Sequence, residues 1–261
     1  MLGREYYILK RKWIWYFGGG KYACQKLQVD YPHLVFEHRS LILRPLKDVD
    51  LYLQENKRTN LKLAIKHLNG IEIKPGEIFS IWRLVGRPTK RKGYLEGLVL
   101  DNGHITKGIG GGLCQLGNLL FWIFAHSPLA IKERYRHGFD VFPDVKRKVP
   151  FGAGATLAYN HVDLQVKNET ANSFVLKLWL DDSYLYGALY AKKEVKAKYK
   201  VVERDHLITM QHWGGYTRHN RIYQCITDVD GQTSEKLLVE NHAIMMYQPF
   251  LHGNSHPNDN K

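Results

Sequence analysis

Apolar residues recur at helical spacing between Asn56 and Leu68, where Leu61, Ala64, Ile65 and Leu68 share one face. Gly70 follows as a C-cap glycine. Pro75-Gly76 marks a turn, and Ile78, Phe79, Ile81 and Trp82 form an apolar patch beyond it. Leu98 to Leu100, Asp101-Asn-Gly103 and Ile105 read as a hairpin, since Asn-Gly accepts positive φ. The strongest helical pattern is Leu113, Leu116, Leu120, Ile123 and Phe124, stopped by Ser127-Pro128.

After about residue 150 the period changes to two. Val162, Leu164 and Val166 alternate, as do Phe174, Leu176, Leu178 and Leu180. Asp181-Asp-Ser183 turns the chain into Tyr184 to Tyr190. Further strands are expected at Ala197 to Val202, Ile222 to Val229 and Lys236 to Val239, with Asp230-Gly231 as a hairpin signal. The pattern predicts an α+β fold in which a helix-bearing N-terminal half packs on mainly antiparallel sheet.

Residues 1 to 45 are aromatic and basic without a clean period, and read as an N-terminal extension. Residues 46 to 190 form the core, and 191 to 261 a β-rich segment packed on it, ending in a polar, frayed tail from Gly253. Trp13 to Phe17 follows Lys10-Arg-Lys12 as a signal peptide's apolar run follows its charges. It is too short, and Gly18 to Gly20 break it, so it reads as a buried or interfacial aromatic segment. No stretch approaches the ~20 apolar residues that span a bilayer, so the cytoplasm is the default expectation, with the cell envelope as the alternative.

The 261 residues carry 38 Lys and Arg against 25 Asp and Glu, a net charge of +13. Such a surface attracts anions without choosing among nucleic acid, lipid heads and cell-wall polymers. The basic residues are scattered and no nucleic-acid reader motif accompanies them, so nucleic acid is not an expected partner. Cys24, Cys114 and Cys225 are few and far apart, which excludes a disulfide framework or a zinc knuckle. The histidines, including His206, His212, His252 and His256, lack metal-ligand spacing. Neither metal nor cofactor is expected.

Chemistry concentrates in Gly108-Ile-Gly-Gly-Gly-Leu-Cys-Gln115. Gly110, Gly111 and Gly112 lead into the helix start, where free N–H groups hold an anion or an oxyanion, with the Gln115 amide beside them. The segment is neither a phosphate-binding Walker loop nor a dinucleotide fingerprint. Cys114 falls in the first helical turn, where the helix dipole favours a thiolate, or it is a structural cysteine in a tight turn. His137 is the candidate base, with Asp163, Asp140 or Asp144 to orient it. His126 lies about 18 Å along the helix from Cys114, too far to serve, and His161 is a weaker second choice. Arg134 and Arg136 are substrate-binding candidates, suited to carboxylates and phosphates, and Glu133 is an acid or an ion-pair partner.

Leu68 to Gly70, Lys74-Pro-Gly-Glu-Ile-Phe-Ser80, Gly108 to Gln115, Glu133-Arg134, His137 and Asp163-Leu164 together resemble the VanW family. So do Phe139 to Pro143, Pro150-Phe-Gly152 and Glu240 to Tyr247, and the likeness spans about residues 50 to 250. The resemblance implies an accessory role in glycopeptide (vancomycin) resistance, acting on or binding cell-wall material. In the enzymatic reading Cys114 attacks an acyl or amide carbon and His137 moves the proton. In the alternatives the protein binds an anionic cell-wall peptide or precursor, or serves as a scaffold for a partner resistance protein. Two departures bear on this choice. The family's common Ser-Thr after the cysteine segment is here Gly117-Asn118, and its common Asp-Ala-Thr is here Gly154-Ala155-Thr156.

Overall fold

The computed structural model describes residues 2–29, 31–43, 51–101, 103–141 and 149–249. Asn102, Asp144, His252 and His256 lie outside them, as does the tail expected to fray.

Helix α1 (Leu2–Phe17) opens the fold and is followed by strand β1 (His33–Leu41). Helix α2 (Leu51–Leu68) carries the stripe read from the sequence: Leu61, Ala64, Ile65 and Leu68 are all buried. Gly70 then takes a positive φ, as a helix-ending glycine does. Short strands β2 (Glu72–Ile73) and β3 (Ile78–Ser80) lead to helix α3 (Ile81–Val85), whose N-cap Ser80 accepts from Arg83 N. Strands β4 (Glu96–Asp101) and β5 (His104–Ile109) form the expected hairpin. Helix α4 (Cys114–Ala125) follows, then strands β6 (Ala130–Glu133), β7 (Phe139–Asp140), β8 (Gln165–Lys167), β9 (Phe174–Leu180) and β10 (Tyr184–Ala191). Three long strands complete the fold: β11 (Lys198–Met210), β12 (Tyr216–Thr227) and β13 (Thr233–Met245).

Pairing is mostly antiparallel. One sheet runs β1-β10-β9-β2, a second β11-β12-β13-β7, a third β3-β8-β6, and β4-β5 stands as a ribbon. Among the described strands β7 and β13 pair in parallel, and Tyr22 makes an isolated parallel bridge to Ile78 of β3. This is the α+β architecture the periodicity predicts.

Helix α4 is the hub. Leu116, Leu119, Leu120, Phe121, Ile123 and Phe124 are buried, and each such side chain is worth about 1.5–3 kcal/mol. The helix lies on β1 and β10. Gly187 of β10 permits the approach: a Cβ there would sit 2.7 Å from Ile123 Cδ1. Val201 of β11 and Ile222 of β12 belong to the same core. Gln224 of β12 donates to the Ala125 and Ser127 carbonyls at the end of α4, at 2.8 and 3.0 Å. The C-terminal strands are thereby tied to the helix that presents Cys114.

Candidate functional site at the head of helix α4

The glycines build the seat of Cys114 through close packing. Beyond β5 the chain still follows β4: Gly110 N donates to Leu95 O and Gly112 N to Leu98 O, both at 2.9 Å. Gly110 and Gly112 have positive φ, which glycine adopts without penalty. At Gly111 a Cβ would lie 2.6 Å from Gly97 Cα, and at Gly112 2.7 Å from Lys57 Cδ. Asn60 of α2 locks the turn by donating to Gly111 O at 2.9 Å. Gly111 N donates to Gly108 O, and Gln115 N to Gly112 O. The N–H groups of Gly110 to Gly112 are therefore consumed within the fold and do not form the anion cradle expected of them. Those of Leu113 and Cys114 carry none of these bonds. Nor does the Gln115 amide face the cysteine: it donates to Ser40 Oγ at 2.9 Å and Leu41 O at 2.8 Å, fastening β1 to α4.

Cys114 is the first residue of α4 and is exposed. Its Sγ reaches Leu157 O at 3.8 Å. Burial nevertheless pushes the thiol above its ordinary value, against an opposing pull from the Arg136 charge. Exposure and burial describe two sides of one residue. Reagent access follows its open surface, while titration follows the protein atoms packed round the sulfur. The expected thiolate-favouring shift is thus reversed: α4 begins without a side-chain cap, and local crowding outweighs the helix dipole.

The other candidates fall in separate networks. His137 N lies 3.3 Å from Thr156 Oγ1, one residue before the Leu157 carbonyl that faces Cys114. Among the described residues no hydrogen bond joins the two side chains. Burial, then the Arg136 charge, lower the His137 pKa, so the imidazole is neutral at neutral pH. Its Nδ1 is buried and makes no hydrogen bond. Asp140 raises that pKa slightly by its charge, while its own carboxylate takes Arg218 at 3.3 Å and Tyr247 at 3.0 Å.

Asp163 is occupied elsewhere. It accepts from Ser80 Oγ at 2.5 Å, Leu164 N at 2.9 Å, Trp82 N at 3.2 Å and Gln165 Nε2 at 3.2 Å, and among the described residues from no histidine. Burial pushes it up to about 7, and the nearby Glu133 charge adds to the shift. Glu133 is an ion-pair partner: Arg11 of α1 binds both its oxygens at 2.5 and 2.6 Å. The structure thus brings Cys114 and His137 to one segment, 156–157, and leaves Asp163 in the seam between α1 and α3. His126 caps α4 and stacks on Phe36 at 4.0 Å, away from the cysteine as its spacing requires.

Arginine defines the electrostatics. Arg134 Nε donates to Gly154 O at 2.8 Å, and its terminal nitrogen reaches Gly152 O and Asn241 Oδ1. These are carbonyl oxygens; among the described residues no carboxylate compensates it. Burial, then Arg136, pull its pKa down to about 9, which leaves it cationic at neutral pH. Arg136 lies over the Phe151 ring at 5.0 Å, and Arg218 over the same ring at 4.4 Å. Arg134, Arg136, His137 and His242 line a cleft of about 80 Å³ with Phe151 and Asn241. Glu240 also borders it, but its carboxylate turns to Arg221 at 3.3 Å and His219 at 3.4 Å. One water needs only ~10–15 Å³, so the space suits a few waters or one carboxylate. His242, Asn241 and Phe151 carry no signal that periodicity or charge pattern would pick out.

The two departures from the family pattern meet in space. Asn118 Oδ1 accepts from Ala155 N at 2.9 Å, and a Cβ on Gly154 would lie 2.8 Å from Asn118 Cγ. A Cβ on Gly117 would strike Ala155 O at 2.8 Å. Asn118 fills the room that a side chain at 154 would need, and Gly117 lets the 155–157 segment close on α4.

Among the described residues no cluster of His, Cys, Asp and Glu could hold a metal ion. Comparison with known proteins places the chain more firmly than its chemistry does. The family model described as VanW like protein matches residues 56–190. Vancomycin B-type resistance protein VanW of Enterococcus faecalis (strain ATCC 700802 / V583) is 41% identical over 185 residues, which is 71% of this chain and 67% of that protein. The uncharacterized protein YoaR of Bacillus subtilis (strain 168) is 25% identical over 150 residues, 58% of this chain and 48% of that one. No solved structure matches. With its family match over the glycine–cysteine core and this degree of identity to the enterococcal protein, the chain belongs to the VanW family.

Proposed function

We propose that this protein supports vancomycin resistance by binding an anionic cell-wall peptide or precursor, with the Arg134–Arg136–His137 cleft holding a carboxylate. One observation carries the reading. Among the described residues the half-buried Arg134 guanidinium hydrogen-bonds to carbonyl oxygens and to no carboxylate, and it lies beside a second arginine in a carboxylate-sized cleft. Desolvating a cation that no described carboxylate compensates costs free energy, and an incoming anion offsets part of that cost. Arg136 and His137 line the same cleft, and Arg136 adds a second positive charge there.

The test is calorimetric titration with an N-acylated cell-wall stem peptide bearing a free C-terminal carboxylate, against the same peptide as its amide. The carboxylate form should bind at least about tenfold tighter, since a charged hydrogen-bonded contact is worth ~1.5–3 kcal/mol. Arg136→Ala should erase the difference, and Arg136→Lys should restore part of it. Equal binding of acid and amide, or an unaltered Arg136→Ala protein, refutes the reading.

One observation favours the second reading, Cys114 as a nucleophile: the residue is exposed at the first turn of α4. That mechanism requires the His137 imidazole to swing to Sγ when substrate arrives. In a strain assay the two readings diverge. Binding predicts lost resistance in Arg136→Ala and retained resistance in Cys114→Ala, and catalysis predicts loss in Cys114→Ala.

A further inference from the structure

We infer that the outward face of α1 is a docking surface for a bilayer rich in anionic lipid, on which the helix lies in the plane of the interface. The helix is divided lengthwise. Its inward stripe holds it to the body: Ile8 and Trp15 are buried, Arg11 pairs with Glu133, and Tyr7 packs edge-on against His161. Its outward stripe runs through Tyr6, Leu9, Trp13 and Phe17 at steps of three and four. These residues are 59, 65, 62 and 73% exposed, far more apolar surface in one place than scattered surface residues present.

The kind of residue selects the occupant. Tyrosine and tryptophan prefer the headgroup boundary, where an amphipathic ring meets both water and hydrocarbon. Lys10 and Lys12 flank the stripe, and Lys21 follows shortly after; all three are exposed. The helix's acid, Glu5, is engaged by Arg87 at 3.6 Å. The face therefore presents aromatics bordered by cations on a protein of net charge +13, the pattern by which interfacial helices take anionic membranes. Among the described residues no helix is long and apolar enough to cross a membrane. Contact along one helix face asks for no such helix.

The experiment is co-sedimentation of the full chain with vesicles of phosphatidylcholine alone and of phosphatidylcholine mixed equally with phosphatidylglycerol. The anionic vesicles should bind at least about tenfold better, and high salt should remove most of that gain. Trp13→Ser with Phe17→Ser should weaken binding to both at least about tenfold. Lys10→Glu with Lys12→Glu should weaken the anionic case alone. Circular dichroism checks that each variant stays folded. Brominated lipid should quench the wild type more than Trp13→Phe, a comparison that leaves the helix intact. The inference is overturned if the wild type ignores anionic vesicles, or if the Trp13 and Phe17 changes leave binding intact. It is also overturned if those changes split a dimer in light scattering with no vesicle binding, since a second copy would then cover the face.

Discussion

Placing an alanine at Gly154 tests whether Asn118 and Gly154 act as one device beside Cys114. Gly154 is outside the positive-φ glycines, so its backbone tolerates a side chain and any penalty is steric. The new Cβ would lie 2.8 Å from Asn118 Cγ and closer still to Oδ1. Asn118 is exposed, so its amide rotates away into solvent. That motion strands the Ala155 N–H, whose 2.9 Å bond to Asn118 Oδ1 is lost in a buried residue. An unsatisfied buried donor costs about 1–3 kcal/mol, which sets the destabilisation of Gly154→Ala. Asn118→Ala strands the same N–H and should cost a similar amount. On that background the room is already empty, and Gly154→Ala should be neutral or stabilise by about 0.4–1 kcal/mol through the unfolded chain. The double variant should then match Asn118→Ala, with a coupling of about 2 kcal/mol. Urea unfolding of the four proteins, followed by fluorescence, measures it. Additive losses would show that the residues do not share one space.

The remaining predictions concern rigidity and pH. At Gly111 the clash is with Gly97 backbone, which has no side chain to swing aside; Gly111→Ala should cost about 3 kcal/mol, read as a lower urea midpoint, and retention of wild-type stability would contradict the packing described. Asp163 is held near 7 in the fold against about 3.9 in the unfolded chain, so the native state binds its proton more tightly and ionisation costs stability. The loss begins as pH rises past about 4, is complete above about 7, and amounts to at most about 4 kcal/mol. Asp163→Asn should flatten that slope in unfolding curves taken across the range, and an unchanged slope would contradict it.

Much of the architecture is written in local pattern. The α2 stripe and the strands at Phe174 to Leu180 and Tyr184 to Tyr190 each keep one buried face, so their period survives in the sequence. Helix α1 does not show itself this way, because apolar residues lie on both of its faces: Ile8 and Trp15 inward, Leu9, Trp13 and Phe17 outward. Strands β11 to β13 run longer than their alternating cores, since pairing continues through exposed residues such as Leu207, Met210 and Leu237. The glycine–cysteine segment stands out in the sequence, yet its electrostatics do not. The helix dipole is a local rule, whereas the crowding at Leu157 and the Arg136 charge come from residues 22 to 43 positions away in the chain. The grouping of Arg134 with Asn241 and Phe151 likewise depends on how β12 and β13 pack, which no period encodes.

Binding and catalysis part most directly at the Cys114 thiol. Cys24 and Cys225 replaced by serine leave Cys114 as the lone target for iodoacetamide, and its alkylation rate against pH reads its ionisation directly. The structure predicts a rate still climbing beyond about pH 9, unaffected by His137→Ala, as expected of a thiol raised by burial and unpaired with an imidazole. A plateau already reached near neutral pH, and abolished by His137→Ala, would contradict it and make Cys114 an activated nucleophile.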